Sequence, residues 1–173
     1  LTVEIVPGGP VLTDLGYGIQ VNKGSTLQRS FVVINDPGSP VILRGTGINT
    51  KYGSDHYSFT PIGSVSASEA IAAFDVRYVL YDMYGYPMKT LAGSHVKDIA
   101  ANTPFNLENT GSWYSVESDV SGYLTVGVFV ANVRTAAGKV WRFNEKSVSR
   151  ELSKLNLKVS ESSLEPTKEK SPK

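Results

Sequence analysis

The sequence predicts an all-β protein, a single domain built as an antiparallel two-sheet sandwich. Three observations carry this. Short apolar runs are separated by clusters of Gly, Pro, Asn and Asp along most of the 173 residues, the spacing of strands joined by turns. The nine Tyr, six Phe and two Trp stand in a Val- and Gly-rich background, and aromatic and β-branched side chains suit a pleated surface. Two stretches, 70–81 and 122–134, are long β-forming runs followed by turn residues, which marks each as the first arm of a hairpin.

Taken in order, Thr2–Val6 is a first strand, closed by Pro7-Gly8-Gly9-Pro10, and Tyr17–Val21 a second. Gln28–Asn35 holds the continuous β-forming run Arg29-Ser30-Phe31-Val32-Val33-Ile34, broken by Asp36-Pro37-Gly38-Ser39-Pro40. Val41–Arg44 resumes with Val41 and Leu43 on one face, and residues 45–57, lacking any period, are expected to be a loop. Ser58–Ile62 is a short strand, and 64–69 a turn of helix or the entry to the next strand.

In Ala70–Tyr81 the residues Phe74, Val76, Tyr78 and Leu80 alternate with Asp75, Arg77 and Val79, so a period of two sends the first set to one face and the charged pair to the other. Asp82-Met83-Tyr84-Gly85 is the turn: Gly85 tolerates positive φ, and the Asp82 carboxylate is placed to accept turn amides. Pro87–Leu91 returns, and 94–107 is expected to hold an edge strand and a loop with Val96, Ile99 and Phe105 inward.

Gly122–Arg134 is apolar on both faces, with Leu124, Val126, Val128 and Val130 on one and Tyr123, Phe129 and Val133 on the other. Such a strand belongs in mid-sheet, covered on both sides. Ala136-Ala137-Gly138 turns the chain into Val140–Phe143. Asn144 then suits a helix cap, with Val148, Leu152 and Leu155 at helical spacing. From Lys158 the chain is mostly Ser, Glu, Lys and Pro, with too little apolar surface to offset the entropy of ordering. The expected organisation is therefore one domain over residues 1–157 and a disordered polar tail over 158–173.

Composition narrows the function classes. With 17 basic against 16 acidic residues and a net charge of +1, no single-sign field steers the chain to nucleic acid. The absence of cysteine removes disulfides and thiolate chemistry. No apolar run is long enough for a helix to cross a bilayer, the longest lying around Leu124–Val133. The chain opens on Leu1 rather than Met, and loss of an upstream signal peptide is one expected reason.

Two segments resemble known domains. Tyr78-Val79-Leu80-Tyr81-Asp82 followed by Gly85 is similar to the signature of the FxLYD family, an aromatic-x-Leu-Tyr-Asp at a strand end before a turn, with Tyr78 in place of the leading Phe. Val133-Arg134-Thr135-Ala136-Ala137-Gly138-Lys139-Val140-Trp141 resembles the closing hairpin of bacterial extracytoplasmic immunoglobulin-like domains, with Ala137 where those tend to carry Asp. The resemblance implies an immunoglobulin-like antiparallel β-sandwich in an exported protein, non-enzymatic or of unassigned role, and it carries over no catalytic residues.

Residue chemistry points the same way. His56 and His95 have Asp55 and Asp98 near them in sequence, but neither spacing is a metal pattern such as HExxH, and no metal or cofactor is expected. There is no GxSxG for a nucleophile. Gly45-Thr46-Gly47 lacks the Lys and following helix of a phosphate loop. The carboxylates Glu69, Asp75, Asp82, Asp98, Glu108, Glu117 and Asp119 are scattered, so a hydrolase would need a pair assembled across strands. The candidate contact residues are the turn aromatics Tyr52, Tyr57, Tyr84, Tyr86, Trp113 and Tyr114, of which Trp113 is expected to pack over a sandwich end. Flat aromatic faces supply contact area at little entropic cost. The expected function is a non-enzymatic interaction or structural module of the cell envelope, meeting a protein partner through sheet edges or loops. The alternatives are a carbohydrate-binding module and a hydrolase.

Overall fold

The computed structural model describes residues 1–10, 13–14, 20–21, 28–52, 55–115, 120 and 122–168. Its strands are β1 (Thr2–Pro10), β2 (Thr13–Asp14), β3 (Gln20–Val21), β4 (Gln28–Asn35), β5 (Val41–Tyr52), β6 (Tyr57–Ala67), β7 (Ile71–Tyr81), β8 (Pro87–Ile99), β9 (Phe105–Asn106), β10 (Trp113–Ser115), β11 (Thr125–Thr135) and β12 (Val140–Arg142), followed by helix α1 (Glu145–Lys154). One sheet runs β1-β4-β11-β7-β8, with β12 also on β11; the other runs β10-β6-β5, with β9 also on β6; β2 and β3 form a separate ribbon. Of the expected second strand, only Gln20 and Val21 lie within the described residues. Pairing is antiparallel except between β4 and β11, which run parallel in register Thr125↔Ser30 to Phe129↔Ile34.

The two sheets face each other across a core that includes Phe31, Val33, Leu43, Phe59, Val65, Phe74, Val76, Tyr78, Leu80, Val126 and Val128. This is the β-sandwich, and its inner face on β7 is the alternating set Phe74, Val76, Tyr78 and Leu80 that the period of two selects.

Bulges explain where the period misleads. The β11–β7 pairing shifts between Val130 and Asn132, so Ala131 is an extra residue and the side chains beyond it change faces. Val133, expected beside Phe129, therefore sits opposite Phe74 in the core between the sheets. Tyr123 is also in that core, because it precedes the strand rather than belonging to it. Residues 45–52, expected as loop, continue β5: the pairing with β6 shifts between Arg44 and Gly47, which breaks the alternation that links Leu43 to Ile48. The segment 64–67 is the end of the long strand β6, not helix. On β8, Phe74 pairs with His95, so Val96 points away from the core and is 91% exposed, contrary to expectation; Ile99 is buried as expected and Phe105 packs against the core.

The outer face of the larger sheet is covered as well. Asn144 caps α1, its side-chain oxygen accepting from the Ser147 amide at 3.0 Å. Val148 and Leu152 of the helix pack on Val32, Ile34, Val79, Tyr81, Phe129 and Ala131 in a second core. Leu155, expected on the apolar face, is at the helix end and exposed; Leu157 is buried instead.

The tail departs most from expectation. Residues 158–168 are ordered against the same sheet, with a 3-10 turn at Glu161–Leu164 and Leu164 in the second core. Its polar composition hid this, because Leu164, Val159 packed beside the same core, and a set of edge hydrogen bonds anchor it where a bulk apolar count finds little. Positions 169–173 of that stretch lie outside the described residues.

A Cβ built on Gly47 would stand 2.3 Å from the ring of Phe31, which is itself buried. Gly47→Ala is expected to destabilise the fold by about 1–3 kcal/mol through overpacking, read as a lowered urea midpoint with unchanged m-value.

Candidate functional site

The candidate aromatics separate into packed and exposed groups. Tyr57 is a core residue. Trp113 is half-buried: its indole N–H donates to the Ala92 carbonyl at 2.9 Å and its ring meets Tyr78 edge-on at 5.2 Å, so it ties β10 of one sheet to β8 of the other. Tyr52 ends β5 opposite Tyr57. Tyr114 is exposed and touches His56 edge-on at 5.2 Å. Tyr84 and Tyr86 are 71% and 57% exposed, and Met83 between Asp82 and Tyr84 is 65% exposed. The structure thus gathers Met83, Tyr84 and Tyr86 on the β7–β8 turn, and places Tyr114 on a strand of the other sheet.

That turn is held tightly. Asp82 Oδ1 accepts the Tyr84 and Tyr86 amides at 2.8 and 2.9 Å, as its position before a turn predicts. The Asp82 amide donates to the Tyr86 carbonyl and the Gly85 amide to the Asp82 carbonyl. Gly85 has φ +78°, and a Cβ there would lie 2.7 Å from the Asn156 carbonyl oxygen. The Gly85 carbonyl in turn accepts the Lys158 amide at 2.8 Å. The chain after α1 therefore backs the turn, and exposed apolar side chains are presented on a fixed backbone. Met83 has no aromatic ring to mark it as a contact residue in sequence; its place in the turn between Asp82 and the Tyr84 amide that Asp82 captures is the available signal.

The charged pair of β7 lies on the outer face as predicted, but it is buried. Arg77 donates through Nε and Nη2 to Asp75 Oδ2 at 3.0 and 2.8 Å, and through Nη1 to Glu165 Oε2 at 3.3 Å. Asn132 adds a bond to Asp75 Oδ2 at 3.3 Å, while Asp75 Oδ1 has no protein partner. The hydroxyls of Tyr78 and Tyr81 are likewise buried without a protein partner, and burial pushes both phenols well above their ordinary range.

His95 lies between two surface cavities of about 180 and 170 Å³, the first lined by Gly93, Gly111 and Trp113, the second by Phe74, Val96, Val133 and Val140. Its ring packs on that of Phe74 at a tilt, with centroids 4.9 Å apart. Burial lowers its pKa, an effect partly opposed by the Asp75 charge. Ser94 and His95 are successive on a strand and so face opposite sides; they do not form a nucleophile–base pair. Among the described residues no group of three or more His, Asp or Glu side chains is placed to hold a metal ion. Among the described residues no helix is long and apolar enough to cross a membrane. No family model, curated protein or solved structure matches the chain.

Asp82→Ala removes the acceptor of two turn amides and is expected to cost about 1–2 kcal/mol, measured by chemical denaturation. For His95 the unfolded chain takes up the proton near the ordinary value of 6.5 while the folded chain resists it. The unfolded state then binds more protons below that pH, so this contribution to stability falls as pH drops through 6.5 towards the folded pKa. Between about pH 7.5 and pH 5.5 the denaturation midpoint of the wild type is expected to fall further than that of His95→Gln.

Proposed function

We propose that the chain is a non-enzymatic, immunoglobulin-like interaction module of an exported, cell-envelope-associated protein, and that it meets a partner protein through the β7–β8 turn. The single observation behind this reading is that Met83, Tyr84 and Tyr86 are each more than half exposed on one turn, pinned by Asp82 and by the chain after α1. Interface energy concentrates in a few aromatic anchors, and an anchor already held in its bound backbone conformation loses little freedom on association. Flexible methionine adds adaptable apolar contact beside the two rings. The signature likeness at 78–85 supports the same reading, since it ends in this turn.

The test is affinity capture from the native organism with the wild-type chain and with Tyr84→Ala/Tyr86→Ala as baits. Both substitutions are at exposed positions, so the fold is expected to shift by less than about 0.5 kcal/mol. A partner held by the wild type and lost, at about tenfold or more in affinity, by the double variant supports the proposal. Equal recovery by both baits rejects it. Retention of the wild type on an immobilised glycan, abolished by the same double variant, would replace the protein partner with a carbohydrate.

A further inference from the structure

The segment after Lys158 occupies the outer face of the larger sheet as a bound peptide would. Thr90 of β8 carries the recognition: its hydroxyl donates to the Ser163 carbonyl at 2.6 Å, its amide donates to Thr167 Oγ1 at 2.9 Å, and its carbonyl accepts the Thr167 amide at 2.9 Å. β8 is the last strand of its sheet among the described residues, and Thr167 satisfies its outward peptide groups with one backbone amide and one side-chain hydroxyl, a use of an open sheet edge. Leu164 is buried in the second core with Val79, Tyr81 and Leu157, and Arg77 holds the Glu165 carboxylate. The groove therefore reads a Leu-acid-x-Thr segment, in which Leu164 closes a 3-10 turn and the chain beyond it is extended at Glu165, through an apolar socket, a guanidinium and a sheet edge.

The same segment is lightly held. Of residues 160–168 only Ser163 and Leu164 are buried, and Glu165 is mostly in water. Beneath it, Asp75 Oδ1 stays unpartnered, so docking does not complete the polar cluster it covers. A segment with one apolar anchor opens at low free energy while the two cores stay packed. Once open, it leaves an empty groove whose complement is present on every other copy of the chain.

We propose that this groove is an interface between copies: residues 160–168 of one chain dock in the groove of a second, with Leu164 in the apolar socket, Glu165 on Arg77 and Thr167 on the Thr90 edge. Exchange of an identical element needs no new surface, since every contact is already optimised within one chain. The intramolecular segment competes at its own effective concentration, so exchange grows with protein concentration.

The chain has no cysteine, so single replacements give unambiguous cross-links. Full-length Thr90→Cys and Thr167→Cys chains are mixed and mildly oxidised. The expected product is the disulfide heterodimer, in about tenfold excess over either homodimer and increasing with concentration. Leu164→Glu on the Thr167→Cys chain should abolish it, because that segment no longer docks. Leu164→Glu on the Thr90→Cys chain should increase it, because that groove is vacated. Thr167→Pro, which deletes the amide bonded to Thr90, serves on the Thr90→Cys chain if Leu164→Glu prevents folding there. No heterodimer above the homodimer level, or a yield indifferent to which chain carries the substitution, overturns the proposal.

Discussion

The structure depends on one constraint: the larger sheet is apolar on both faces. β11 contributes Val126, Val128 and Val130 to one core and Phe129 and Ala131 to the other. β4 does the same with Phe31 and Val33 against Val32 and Ile34. A sheet of this kind exposed on either side would leave a large apolar surface in water. The second sheet covers one face, and α1 with the segment that follows covers the other. The result is three layers, sheet on sheet on helix.

That third layer determines what is exposed and what is not. By backing Gly85 through Asn156 and Lys158, it fixes the turn that presents Met83, Tyr84 and Tyr86. By covering β7 it also buries Asp75 and Arg77, charges that an uncovered sheet face would leave in solvent. A buried ion pair is not strong evidence of stability, since desolvation opposes the Coulombic gain. Here the pair links the sheet to the C-terminal segment through Glu165. The same covering thus joins a rigid apolar turn to a docked and lightly anchored strand edge.

Much of the fold was legible because its periods are strong. The β7 alternation, the Asp82–Gly85 turn, the 136–138 hairpin and the Asn144 cap follow from local chemistry that needs few distant partners. What was not legible came from single-residue insertions in pairing: a bulge at Ala131 moved Val133 to the opposite face, and one after Arg44 disguised the continuation of β5. A bulge changes the phase of a strand without any mark in composition. Of the candidate aromatics, Tyr84, Tyr86 and Tyr114 are exposed and Tyr57 is core, a division that depends on which sheet face each strand end turns towards.

By itself the sequence determined the class of fold, the two hairpins, the two-sided burial of the strand read at 122–134 and the turn chemistry of Asp82 and Gly85. These are settled by short-range sterics, hydrogen bonding and a period of two. Only the tertiary structure decided the parallel seam between β4 and β11, the side on which Val133 and Val96 lie, and the docking of residues 158–168. Each of those depends on partners far apart in the chain: Thr167 must meet Thr90, and Glu165 must meet Arg77, before the C-terminal segment has a reason to be ordered. A polar tail with one leucine has no such reason within its own length, and finds it only at the edge of a sheet that is already built.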